Sequence, residues 1–208
     1  MSSLEGKMQP TGELTMRVIR AQGVSRSTTA KVGLWWKIRN LRNVWPGLWR
    51  HSLAKTLRMN HMLGTLHVRK LCGNGEVIDY GLVSTQLVTD AFAEYMVDEL
   101  QAETSEWGDF KFHDSGVGVT GAAVGDTDME TTDGESRVTG SQIEGATAEI
   151  YKSVGTITYS GGVAVTEHGL FSMVTGGTLM DRHVFGAINV VATDAIEFTY
   201  QFTSVSGA

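Results

Sequence analysis

Residues 194–203 read DAIEFTYQFT, and this stretch decides the fold. Large apolar side chains stand at every second position, at Ile196, Phe198, Tyr200 and Phe202, with polar side chains between them. A period of two places the apolar set on one face of a β-strand and the polar set on the other. Such alternation is typical of an antiparallel sheet with one face in the core. We therefore predict a half-buried strand over 194–203.

Short strand patterns separated by glycine-rich turns precede this strand. Cys72 is followed by Gly73-Asn74-Gly75, a hairpin signal between two apolar runs. We predict further strands over 66–71, 76–84, 110–113, 147–159, 163–172 and 178–185. Short strands at this spacing favour a mainly β fold, an antiparallel β-sandwich of the jelly-roll or immunoglobulin-like class.

One short helix and one long loop interrupt the strands. Phe92, Met96 and Leu100 form a four-residue stripe after Thr89 or Asp90, either of which can cap a helix. The stripe predicts a helix over 89–103. Residues 114–145 are rich in Gly, Thr and Asp and are predicted to form a loop.

The charge is divided sharply along the chain, although the net charge is only −6. Residues 1–75 carry thirteen Lys or Arg and two acidic residues, a net charge of +11, while residues 76–208 carry −17. Such a division suggests two units with different partners, because the basic part attracts acidic surfaces or polyanions. We place the boundary between a basic N-terminal arm, residues 1–64, and an acidic sandwich domain, residues 65–208.

The arm has a polar beginning and a helical second half. Residues 1–30 contain scattered small and polar residues and are predicted to be poorly structured, and the first ten lack the apolar core of a signal peptide. Over 31–63, apolar residues recur at three- and four-residue steps, the helical period. They are Leu34, Ile38, Leu41, Trp45 and Leu48, followed by Trp49, Leu53 and Leu57. Because proline interrupts helices, we expect a first helix to end near Val44, before Pro46.

The helical half of the arm is the strongest candidate for a binding surface. It holds four of the five tryptophans, interleaved with arginines, and both residue types are enriched in interface hot spots. The candidate partner-binding residues are Trp35, Trp36, Arg39, Arg42, Trp45, Trp49 and Arg50. The same composition is compatible with binding nucleic acid through phosphate contacts and stacking, with lying on an acidic membrane, or with packing on the chain's own acidic domain.

Motifs for catalysis or metal binding are weak. Residues 116–121 fit G-x-G-x-x-G, but no helix pattern follows the third glycine, as a dinucleotide site requires. Residues 126–130 alternate acids as in a calcium loop, yet Thr131 stands where the required glycine belongs. Glu167 and His168 are adjacent, so a strand points them to opposite faces and away from one reacting atom. We expect no enzyme activity and no cofactor or metal.

The remaining composition excludes several classes of protein. Cys72 is the only cysteine, so neither an intramolecular disulfide nor a cysteine zinc site can form. No run of about eighteen apolar residues is present, and we expect no transmembrane helix.

From residue 76 onwards the chain resembles a family of small structural proteins of tailed bacteriophage virions. The resemblance rests on an ordered series of blocks across about two-thirds of the chain. They are DYGLVS at 79–84, FKFHDSG at 110–116, TGSQIEGA at 139–146, TEHGLFS at 166–172, GTLMDR at 177–182, and VF, INV and FTY at 184–185, 188–190 and 198–200.

The resemblance implies a virion component made in the host cytoplasm, with no catalytic residues. We expect a capsid decoration or cement protein that bridges shell subunits, located in the head rather than the tail. Its expected partners are the major capsid protein and copies of itself, in a dimer or trimer. A tail, baseplate or fibre component is the first alternative, and a DNA-binding virion or packaging protein acting through the arm is the second.

Overall fold

The structure is a computed structural model that describes residues 29–59, 61–100, 110–147 and 149–205. The expectation of poor structure over 1–30 falls almost wholly on residues outside this part. The described elements are β1 Thr29–Lys31, α1 Leu34–Thr56, β2 His61–Leu71, β3 Val77–Gln86, α2 Asp90–Leu100, β4 Phe112–Gly116, β5 Val138–Thr139, β6 Ser141–Glu144, β7 Ile150–Thr158, β8 Val163–Phe171, β9 Leu179–Val190 and β10 Ala195–Val205.

Two sheets form a sandwich. One has six strands in the order β1-β3-β2-β10-β7-β6, and the other has four in the order β5-β4-β8-β9. All pairs are antiparallel except β1 with β3, which run parallel. The prediction of a mainly β, antiparallel sandwich is confirmed.

Strand β10 lies at the centre of the larger sheet, between β2 and β7. Its alternating apolar side chains at Ile196, Phe198 and Tyr200 are fully buried, as the period of two predicts. They join a core that both sheets supply, with Leu66 from β2 and Leu170 from β8 also at zero exposure.

The hairpin and the short helix form close to where the sequence places them. Strands β2 and β3 are joined by a turn in which Gly75 has a φ of +86°, a conformation that favours glycine. Helix α2 begins at Asp90, and the Thr89 hydroxyl accepts a hydrogen bond from the Phe92 N–H at 3.2 Å. Thr89 is therefore the N-cap. The predicted end of this helix, residues 101–103, lies outside the described residues.

The loop predicted over 114–145 is partly wrong, because strands occupy both of its ends. Strand β4 continues to Gly116, and β5 and β6 lie within 138–144. β5 and β6 are edge strands, and the side chains of β6 are all exposed. With no buried face, such a strand shows no apolar alternation, so the sequence pattern cannot reveal it.

The expectation that a helix ends near Val44 is also wrong. α1 runs without a break from Leu34 to Thr56 with Pro46 inside it. Tertiary contacts hold the helix on both sides of the proline, since Val44 and Gly47 are both buried against the sandwich. These contacts override the local penalty of one lost helical hydrogen bond.

The arm and the sandwich are joined through the larger sheet. β1 pairs with β3, and β2 begins at His61, so the boundary drawn between residues 64 and 65 falls inside a strand. α1 packs on β3, and also touches β9 of the other sheet.

Candidate functional site

Helix α1 attaches to the sandwich through polar and small residues. Asn40 is buried, its side-chain amide donates to the Val83 carbonyl at 2.6 Å, and its Oδ1 accepts from the Gly186 N–H at 2.8 Å. The Thr85 hydroxyl donates to the Val44 carbonyl at 2.7 Å. One asparagine thus links the helix to both sheets, because Val83 lies on β3 and Gly186 on β9.

A glycine allows the helix backbone to approach β3 closely. A Cβ placed at Gly47 would lie 2.1 Å from Thr85 Oγ1, far inside van der Waals contact. Only glycine fits this position without moving the helix. The helix backbone at Gly47 therefore packs directly against Thr85 of β3.

Trp36 is the tryptophan of α1 that packs on the chain's own sandwich. Its ring meets Tyr80 edge-on with centroids 4.9 Å apart, and its Nε1–H donates to the Ala187 carbonyl at 3.1 Å. Of the seven candidate partner-binding residues, Trp36 alone is half-buried, and the other six are exposed.

The opposite face of α1 carries an apolar surface that points away from the sandwich. We call it the outer stripe, which consists of Leu34, Ile38, Leu41, Trp45, Leu48 and Trp49. All six are exposed, with Trp45 at 65% and Trp49 at 58%. In an ordinary surface helix the apolar face packs against the core, whereas in α1 the apolar face points to solvent. Contiguous apolar surface of this kind marks interaction sites.

Basic residues of α1 flank the outer stripe. α1 carries Lys37, Arg39, Arg42, Arg50 and Lys55 and no acidic residue. Among the residues that the structure describes, no carboxylate forms an ion pair with any of these five. The surface therefore combines exposed tryptophan with unpaired positive charge, the combination found at binding hot spots.

The glycine motif at 116–121 surrounds a carboxylate of the chain itself. Glu167 is fully buried, and its carboxylate accepts from the backbone N–H groups of Gly118 and Thr131 at 3.0 and 2.8 Å. A Cβ at Gly116 or Gly118 would approach Glu167 Oε1 to 2.6 or 2.5 Å. These two glycines thus make room for Glu167, and the residues described after Gly121 form no helix.

The acidic residues at 126–130 are held by arginines. Arg182 is buried and forms ion pairs with Glu167 and Asp126, both at 2.8 Å, and with Glu130 at 3.2 Å. Asp128 lies 3.5 Å from Arg137. In the described part of the chain, no three His, Cys, Asp or Glu residues are grouped so as to hold a metal ion. The acidic alternation therefore belongs to a network that fastens the loop to β8 and β9.

Glu167 and His168 do point to opposite sides of β8, as adjacent strand residues should. Glu167 meets the loop, whereas His168 lies in the core. Asp181 is also in the core and lies 3.2 Å from His183 Nε2. His168, His183 and Asp181 are all buried, so a substrate has no access to them.

The sequence did not reveal a row of buried polar side chains between the sheets. His113 Nδ1 lies 2.9 Å from His168 Nε2, and His113 Nε2 lies 2.8 Å from Ser153 Oγ. Burial lowers the pKa of His113 to about 3, and burial and the neighbouring histidines hold the pKa of His168 well below its usual range. The signal in the sequence was a histidine in each of β4, β8 and β9, which only the pairing of the strands brings together.

The single cysteine shows no sign of a nucleophile. Cys72 lies in the β2–β3 turn, and partial burial raises the pKa of its thiol. A raised pKa disfavours the thiolate, which is the reactive form.

Comparisons with known proteins leave the site to be judged by its own chemistry. No protein-family model, no curated protein and no solved structure matches this chain. Neither described helix is long and apolar enough to cross a membrane.

Proposed function

We propose that this chain is a structural component of a tailed-phage virion, a decoration or cement subunit that binds the shell through the outer stripe of α1. The observation that carries the proposal is the orientation of α1, which attaches by its polar face and presents tryptophan and leucine outward. The role is mechanical rather than catalytic, and it follows the resemblance of residues 76–208 to virion structural proteins.

The attachment of α1 supports a binding role because it fixes the outer stripe in place before any partner arrives. Asn40, Thr85 and Trp36 each contribute a hydrogen bond that joins the helix to the sandwich. A surface that is already ordered loses little conformational entropy on binding. Weak contacts made by many copies on a shell, or by a dimer or trimer of this chain, then add up by multivalency.

Copy number in purified particles tests the proposal. Quantitative mass spectrometry against the major capsid protein should give a simple ratio to the number of shell subunits. A few copies per particle would instead favour the alternative of a tail, baseplate or fibre component. Absence of the chain from purified particles would show that the proposed function is wrong.

A DNA-binding role is the second candidate, and it is favoured by the five basic residues of α1, which form no ion pair with a carboxylate of the described residues. Phosphate contacts weaken steeply as salt rises, by about 0.9 in log K per contact for each log unit of salt. DNA binding that weakens along this slope and is lost in an Arg39→Gln, Arg42→Gln variant would support it. Binding that is absent at 50 mM salt would exclude it.

A further inference from the structure

A cleft runs between α1 and the edge of the smaller sheet. Its volume is about 530 Å³, and residues of α1, of β9 and of the loop after β4 line it. Trp35, Trp36, Arg39 and Arg42 form the helix wall, and Val184–Ala187 on β9 form the facing wall. The cleft adjoins the outer stripe, because Trp35 and Arg42 of its helix wall stand three and four residues from Ile38, spacings that make side chains neighbours on a helix surface.

The cleft combines an apolar lining with two guanidinium groups. Val119 and Trp35 are among the most exposed apolar side chains of the described chain, at 73% and 79%. Arg39 and Arg42 lie beside them, and neither forms an ion pair with a described carboxylate. The nearby loop carboxylates Asp126 and Glu130 are engaged by Arg182 instead.

The backbone of β9 at the cleft is already occupied. The Gly186 N–H donates to Asn40 Oδ1 at 2.8 Å, and the Ala187 carbonyl accepts from Trp36 Nε1 at 3.1 Å. An incoming strand therefore cannot pair with β9 at these positions, and recognition by strand addition is blocked here. A ligand in the cleft must be recognised by its side chains.

The positive charge of the cleft favours an acidic ligand over a second copy of α1 or the N-terminal residues of the chain. A second α1 helix would bring five further positive charges against the first. Residues 1–28 of the same chain carry four basic and two acidic residues, so they are also net positive. Two arginines in an apolar setting instead fit carboxylates, to which the guanidinium fork can donate two parallel hydrogen bonds.

We propose that the cleft binds a segment of the shell protein partner in which glutamate or aspartate alternates with apolar residues. Arg39 and Arg42 hold the carboxylates, while the exposed side chains of Trp35 and Val119 cover the apolar side chains. The inference rests on the proposed function and assigns the partner's chemistry at the part of α1 that adjoins the outer stripe.

Peptide binding to the full-length chain tests this assignment. The probe is a fluorescent ten-residue peptide of alternating Leu and Glu, and its control replaces every Glu with Gln. Fluorescence anisotropy should show that the Gln peptide binds at least about tenfold more weakly, since charge-assisted hydrogen bonds are roughly twice as strong as neutral ones. Arg39→Gln and Arg42→Gln should each weaken binding of the Glu peptide about five- to tenfold.

Arg58→Gln is the matched control, because it removes the same charge at an exposed residue that lies two positions beyond α1 and outside the cleft. It should change binding less than about twofold, as a screened surface charge does. Equal effects of Arg39→Gln and Arg58→Gln, equal binding of the two peptides, or no binding of either would overturn the assignment. So would a dimer that Arg39→Gln dissociates in sedimentation, or displacement of the peptide by duplex DNA or anionic phosphatidylserine vesicles.

Particle binding separates this inference from the proposed function. Shell binding that survives Arg39→Gln with Arg42→Gln but is lost on Leu41→Ser with Trp45→Ser would sink the cleft assignment and keep the function. Shell binding that survives both pairs of substitutions would contradict the function as well.

Discussion

Buried histidines in the core make the fold sensitive to acid. His113 and His168 have no exposure, and Gly155 on β7 makes room for the His113 ring, since a Cβ at Gly155 would lie 2.5 Å from His113 Cδ2. Desolvation is the main cause of the lowered pKa of both rings. The folded protein therefore keeps both rings neutral at a pH where an unfolded chain protonates them.

Stability should fall as the pH drops below about 6.5, the pKa of an unfolded histidine. Below that pH the histidines of the unfolded chain are protonated while those of the folded chain stay neutral, and for His113 this difference persists down to about pH 3. Each such histidine contributes a slope of about 1.4 kcal/mol per pH unit. The raised pKa of Asp181 acts in the opposite direction, because the folded state binds that proton more readily. Urea denaturation between pH 7 and pH 4 measures the net slope.

His113→Gln tests the origin of this slope. The variant should be less stable at pH 7, because the Ser153 and His168 contacts change, but its stability should decline less steeply with falling pH. An unchanged slope between pH 6.5 and pH 4 would show that other groups cause the acid sensitivity.

The Glu167–Arg182 pair is the second feature that acts at single-residue scale. Glu167 has no exposure and Arg182 has 3%, so removing one partner leaves a buried charge. Arg182→Gln should destabilise the protein by about 3–5 kcal/mol. The matched control is Arg69→Gln, because the Arg69 side chain is half-exposed in its ion pair with Glu197, and this substitution should cost about 1 kcal/mol or less. Similar unfolding midpoints for the two variants would contradict the anchoring role of Arg182.

At the scale of elements, the attachment of α1 depends on the close approach at Gly47. Gly→Ala inside a helix usually stabilises by about 1 kcal/mol. At Gly47 the sign should reverse, because the new methyl group would press on Thr85 and lift the helix from β3. We expect Gly47→Ala to lower stability by about 1–3 kcal/mol, as overpacking does.

Gly161→Ala, in the turn between β7 and β8, is the control for this test. A Cβ there meets nothing within 4 Å, so stability should be unchanged or slightly raised. Thermal unfolding followed by circular dichroism measures both variants. A stabilised Gly47→Ala protein would mean that α1 does not lie against β3 as described.

The strands with one buried face could be predicted from sequence, because burial imposes the alternation seen in β10 and the turn glycines mark the β2–β3 hairpin. Edge strands such as β6 could not be predicted, because all side chains of β6 are exposed and its sequence therefore shows no apolar alternation. The period of the outer stripe predicted helical structure in α1 but not its orientation. The orientation is set by the contacts of Asn40 with Val83 and of Gly47 with Thr85, which hold the opposite face of α1 on the sandwich. These contacts join residues far apart in sequence, so no local pattern reveals them.

For the candidate site, the sequence pointed to the α1 segment as a binding surface but did not show how its tryptophans divide between packing and exposure. The exposed residues Trp35, Trp45 and Trp49 face outward, whereas Trp36 serves the chain's own packing. Trp35 and Trp36 are neighbours and look alike in the sequence. Only the contacts of Trp36 with Tyr80 and Ala187 show that it packs on the sandwich while Trp35 stays exposed.

At the scale of the whole molecule, charge and surface divide the chain into two sides. α1 is basic and exposes apolar side chains, while most acidic residues belong to the sandwich, where buried members such as Glu167 and Asp194 are paired with Arg182 and Lys70. A rigid acidic block with one basic, tryptophan-bearing face suits a subunit that attaches by that face. The proposed function stands on this asymmetry.

Binding of the full-length chain to particles that lack it tests the central claim most directly. Leu41→Ser with Trp45→Ser changes two exposed side chains of the outer stripe, and Val174→Ser with Val191→Ser changes two exposed apolar side chains elsewhere. Co-sedimentation should show that the first pair weakens binding about tenfold or more, as loss of a tryptophan hot spot does. The second pair should bind like the unaltered chain. Equal binding by both variants would contradict the claim that α1 is the attachment surface.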